Sequence, residues 1–97
     1  MYKPFFKANF YQTRTIAQNI KEDPKYRLEI NKCIERFISK DWGDLTDDDI
    51  KSNNEAIVYN DRILASYKTS KGKIYIIADA TDKNYYETIT VLFANEY

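Results

Sequence analysis

The apolar residues change period part-way along the chain, and that change constrains the fold more than any other feature. Ile30, Cys33, Ile34, Phe37 and Ile38 recur at i, i+3, i+4, i+7 and i+8, the spacing that lays one stripe along an α-helix. From Ile63 the spacing becomes two. Ile63, Ala65 and Tyr67 alternate with Leu64, Ser66 and Lys68; Ile74, Ile76 and Ala78 with Tyr75, Ile77 and Asp79; Ile89, Val91 and Phe93 with Thr88, Thr90 and Leu92. Such alternation belongs to strands with one face on the core and one face wetter. The stretch Asp41-Trp42-Gly43-Asp44-Leu45-Thr46-Asp47-Asp48-Asp49 divides the two regimes. It holds the only Trp, one of the two Gly and five Asp.

Start and stop signals frame the helices. Thr13 or Thr15 supplies an N-cap for a brief helix through Ile16, Ala17 and Ile20, because the first backbone N–H groups need a side-chain oxygen. Asp23-Pro24 marks a second start, with Pro where its missing N–H is harmless, and the stripe carries that helix over residues 24–39. Gly43 ends the run as a left-handed cap. Thr46 caps a third helix whose first turn holds Asp47, Asp48 and Asp49 against the positive end of its dipole. This helix turns Ile50, Asn54 and Ile57 inward and stops near Val58. The turn Ser70-Lys71-Gly72 joins the first two strands as a hairpin, and a loop through Asp82, Lys83 and Asn84 leads to the third. Residues 5–12 suggest a short N-terminal edge strand. The expected fold is α+β: N-terminal helices packed on a three-stranded antiparallel β-meander. It forms one domain over residues 1–97, with a helical half over about 13–58 and a sheet over about 62–94.

What is missing narrows the function. The chain has no His and one Cys, which leaves a structural zinc site without ligands and rules out a Ser–His or Cys–His pair within the chain. A lone Cys makes no internal disulfide and points to a reducing compartment. Cys33 sits inside the apolar stripe and reads as a small core residue. Fifteen basic and fifteen acidic residues cancel, removing the drive for non-specific nucleic-acid binding. No run approaches the length of a membrane span, and Met1–Tyr11 has no signal-peptide core. The expected location is cytoplasmic.

Three readings compete for the Asp-rich block. Helix capping with a solvated acidic edge is the plainest. A partner-binding surface formed by Asp41, Trp42, Asp44, Asp47, Asp48 and Asp49 comes next, since acid beside an aromatic suits a basic partner. A hard-cation loop through Asp44, Thr46, Asp48 and Glu55 comes last, because Asp49 stands where such a loop needs Gly. Trp42 itself reads first as a core plug. Tyr67 and Tyr75, taken as outward and flanked by Lys68 and Lys73, form a candidate stacking platform for single-stranded nucleic acid. No catalytic residue, metal or cofactor is assigned.

Asp41-Trp42-Gly43-Asp44-Leu45, Asn54, Arg62-Ile63-Leu64-Ala65-Ser66-Tyr67, Lys73-Ile74-Tyr75-Ile76-Ile77 and Thr90-Val91-Leu92-Phe93 with the ending Glu96-Tyr97 resemble a family of small bacterial proteins carried on plasmids, integrative elements and phages. The likeness spans roughly residues 41–97. Tyr75 stands where that family has Trp, Ala94 where it has Pro, and Lys40 where it has Gly. The family brings no established activity and hands over no catalytic residue. What the resemblance implies is an accessory protein of a mobile element. The expected function is therefore a non-enzymatic module that binds a host protein and antagonises a defence system, as an anti-CRISPR inhibitor does. A nucleic-acid accessory protein using the sheet tyrosines is the alternative.

Overall fold

Capping and periodicity act together to cut the N-terminal half into helices. A computed structural model describes residues 4–80 and 85–97; the expected loop through Asp82, Lys83 and Asn84 falls outside them. Helix α1 (Arg14–Glu22) starts where the Thr13 hydroxyl accepts the Ile16 N–H at 3.3 Å. Asp23 then closes α1 and opens α2 (Pro24–Ile38): its backbone N–H bonds the Asn19 carbonyl, while its carboxylate accepts the Lys25 N–H at 3.0 Å. The stripe on α2 buries Tyr26, Ile30, Cys33 and Phe37. Helix α3 (Asp47–Tyr59) begins at Thr46, whose hydroxyl accepts the Asp49 N–H at 3.2 Å, and ends on left-handed Asn60.

Gly43 does not end α2. The left-handed residue there is Lys40 (φ 66°), with the Lys40 N–H bonded to the Phe37 carbonyl and the Asp41 N–H to that of Arg36. These two reversed bonds satisfy carbonyls that the helix leaves unpaired.

The C-terminal half forms β2 (Ile63–Thr69), β3 (Gly72–Asp79) and β4 (Thr88–Phe93), followed by a 3-10 turn, Ala94–Glu96. These three strands pair antiparallel in sequence order, as the alternation predicts. The sheet, however, has four strands and is mixed. Strand β1 (Asn9–Gln12) lies parallel to β4, giving the order β1-β4-β3-β2. The expected edge strand is thus present but shorter, since residues 4–7 form a turn. A parallel neighbour requires a long crossover, and everything from α1 to β3 supplies it.

Parity decides what lies inside. Ile63, Ala65, Tyr67, Ile74, Ile76, Ala78, Ile89, Val91 and Phe93 share one sheet face and are buried with Ile16, Ile30, Phe37 and Ile57 of the helices. Full burial of each large apolar side chain is worth about 1.5–3 kcal/mol. Four aromatic rings run through this layer in contact. Tyr86 meets Phe5 at 5.3 Å between centroids, Phe5 meets Phe37 at 5.2 Å, and Phe37 meets Trp42 edge-on at 5.3 Å.

Candidate functional site

The block between α2 and α3 straps the β2 edge of the sheet. The Ser66 N–H donates to the Trp42 carbonyl at 3.1 Å, and the Asp44 N–H donates to the Ser66 carbonyl at 2.6 Å. Between them Gly43 forms a parallel bridge with Ser66. Each side chain of the block has its own task. The Asp41 carboxylate takes a forked pair from Arg36, 2.7 Å to Nε and 3.2 Å to the terminal nitrogen, and also accepts the Gly43 N–H. The Arg36 guanidinium holds that carboxyl below the usual carboxylate range. Trp42 is only 2% exposed, and its indole N–H donates to Asn54 Oδ1 at 2.9 Å. Asp44 pairs with Lys68 at 3.4 Å on the surface, where an ion pair adds little.

Trp42 is therefore a core plug, out of reach of a partner. Asp41 and Asp44 serve the strap. Asp47, Asp48 and Asp49 remain as an exposed acidic first turn on α3. Among the described residues no group of three or more His, Cys, Asp or Glu side chains converges as a metal ion would need.

Tyr67 also needs correcting. It shares parity with Ile63 and Ala65, so its ring points into the core at 1% exposure. Its hydroxyl donates to the Asp41 carbonyl at 2.7 Å, and burial raises its pKa well above the phenolic norm. The strap thus closes over Tyr67 rather than presenting it.

Tyr75 does lie on the other face, opposite Ser66 and Leu92 in register. That face carries Leu64, Ser66, Ile77, Thr90 and Leu92, and every helix of the described residues buries its apolar side on the opposite one. The C-terminal turn brings Tyr97 edge-on to Tyr75, with centroids 5.6 Å apart. The Lys73 amine stands 5.9 Å from the Tyr75 ring centre, and the Arg62 guanidinium 5.7 Å from that of Tyr97. Arg62 also reaches Asp79 at 3.3 Å. On β1, Tyr11 pairs with Thr90 in register and so joins this face. Tyr11 and Tyr97 are 53% and 65% exposed. Beside Tyr75 in register, the Ser66 hydroxyl is buried without a hydrogen-bond partner among the described groups.

Tyr97 and Tyr11 are the surface residues that the alternation does not disclose. Tyr97 follows the last strand and Tyr11 sits in a strand without an apolar face. Cys33 lies in the α2 stripe, and burial raises its thiol pKa, which suppresses the nucleophilic thiolate.

Compared with protein-family models, with curated proteins and with solved structures, the chain gives no match.

Proposed function

We propose that this chain is a non-enzymatic binding module that captures a folded protein on the helix-free face of its sheet. One observation carries the reading: the Tyr75–Tyr97 pair and Tyr11 share an aliphatic sheet face that no helix of the described residues covers. Tyrosine offers a large rigid ring at low entropic cost and a hydroxyl that tolerates water, which suits a surface that is wet until it meets a partner. The exposed acidic turn Asp47–Asp49 acts as a steering charge for basic surfaces nearby rather than as the anchor. That the captured protein belongs to a host defence system, in the manner of an anti-CRISPR inhibitor from a mobile element, rests on the resemblance at residues 41–97.

The test is capture from bacterial lysate on immobilised protein, comparing wild type with a Tyr75→Ser, Tyr97→Ser variant of unchanged circular dichroism. A protein held by the first and lost from the second supports the reading. Equal retention on both overturns it. Charge reversal at Asp47 and Asp48 should slow association and reduce its salt dependence while leaving dissociation unchanged.

The cations against the rings favour one second reading. Lys73 over Tyr75 and Arg62 over Tyr97 are the combination with which single-stranded nucleic acid is stacked and neutralised. Its platform is Tyr75 with Tyr97, not Tyr67. A mobility-shift titration at low salt decides, and no shift at tens of micromolar protein ends it.

A further inference from the structure

The two edges of the sheet are treated differently. At β2 the strap pairs with both the N–H and the C=O of Ser66, and the Asn53 side-chain amide donates to the Leu64 carbonyl at 2.9 Å, so the middle of that edge is covered. At β1 all four residues, Asn9 to Gln12, are exposed. The Asn9 N–H donates to the Glu87 carbonyl at 2.9 Å and the Thr13 N–H to that of Val91 at 3.1 Å, so the odd-numbered residues turn their backbone groups towards β4. Alternation then turns the N–H and C=O of Phe10 and Gln12 outward. An unpaired row of this kind is a template for another strand, and natural edges are usually blunted by Lys, Pro or a bulge. Asn9-Phe10-Tyr11-Gln12 contains none of these residues and no charge.

We propose that this edge pairs with a second copy of itself, joining two chains through antiparallel β1 strands about a two-fold axis at Phe10. Symmetry fixes the register. Phe10 faces Phe10 of the second copy and exchanges both N–H···O bonds with it, while Asn9 faces Tyr11 and Ala8 faces Gln12. Every facing pair then shares a sheet face, and no like charges meet. A four-residue edge is short for any interface, but a two-fold pair makes each contact twice, which a foreign strand laid on the same residues does not. Phe10, 47% exposed, gains its own aromatic partner. The two four-stranded sheets become continuous, and the tyrosine faces lie side by side. The contact falls short of the roughly 800 Å² per partner of standard interfaces, so the dimer forms reversibly at high concentration.

Sedimentation equilibrium over a wide concentration range tests this on the full chain. The expected weight-average mass rises from one chain to two as concentration increases. Phe10→Pro removes an outward N–H without touching the β1–β4 ladder, and it should hold the protein at one chain throughout. Phe10→Lys, which charges the axis, should do the same and decides the matter where the proline variant fails to fold. Amide exchange gives a second readout: Phe10 and Gln12 should slow with concentration while Tyr11 stays protected at all concentrations. A protein of one chain at every concentration overturns the proposal and leaves the edge to a foreign strand. A dimer indifferent to both variants overturns it too, because its interface then lies elsewhere.

Discussion

At Gly43 the chain passes so close to β2 that a side chain has nowhere to go. A Cβ built there would lie 2.0 Å from the Ser66 carbonyl oxygen and 2.7 Å from the Tyr67 ring, on a backbone with φ of +80°. The left-handed backbone alone costs an L-residue about 1–2 kcal/mol, and the clash adds to it. Gly43→Ala is therefore expected to lower the melting temperature by at least roughly 4–8 °C, read by calorimetry. An unchanged midpoint would mean that the strap sits farther from β2. Lys40 presents the reverse case, a non-glycine residue at φ 66° with no glycine to relieve it. Lys40→Gly should raise stability by about 1 kcal/mol in urea unfolding. From the sequence alone the left-handed cap of α2 falls on Gly43, three residues too late. The reason is physical: Gly is the only local sign of that conformation, and a lysine forced into it by its surroundings gives none.

Helix α3 buries little apolar surface, with Asn53 and Ile57 its buried residues, and polar links hold it in place. Trp42 donates to Asn54 Oδ1, Asn53 donates to the Leu64 carbonyl, and the Tyr86 hydroxyl reaches the Ala56 carbonyl of α3 at 3.2 Å and that of Asp61, just past its end, at 2.6 Å. Asn54→Ala leaves the buried indole N–H of Trp42 unpaired, at a cost of about 1–3 kcal/mol. Denaturant unfolding should show that loss, and amide exchange should quicken in α3 before α2. Equal quickening throughout would mean that α3 has no separate anchor. The same scale shows what was legible in the chain. The helices announce themselves by caps and stripe, and β2, β3 and β4 by alternation, because one face of each is buried. Strand β1 is exposed on every residue and so carries no alternation. Its parallel partnership with β4 joins residues far apart in the chain, and no local pattern encodes that. Tyr67 differs from expectation for a simpler cause: a tyrosine looks amphipathic, but its parity with Ile63 and Ala65 places it inside.

In the whole molecule the C-terminal turn closes on the start of α1. Glu96 accepts the Phe93 N–H and the Thr13 hydroxyl, both at 2.9 Å, and Thr13 in turn caps α1. One carboxylate therefore ties the C-terminal turn to the start of α1 and, through β4, to β1. The Phe93 N–H holds its pKa below the ordinary 4.5, and Arg36 holds that of Asp41 below 3.8. The sign follows from linkage. A carboxyl with a lowered folded pKa stabilises the protein fully above its unfolded value and loses that contribution as pH falls through the folded one. Stability should be level near neutrality and drop as pH goes below those ordinary values. The fifteen basic residues then repel one another as the carboxylates are neutralised, so a bare loss in acid does not identify the clamp. The Glu96→Gln, Asp41→Asn variant does. It should be less stable than wild type at neutral pH, and the gap should shrink steadily as pH falls from ~6 to ~3, measured as the urea midpoint at each pH. A gap that stays constant with pH would show that the carboxylates act through shape, and the clamp of the C-terminal turn on α1 would lose its electrostatic basis.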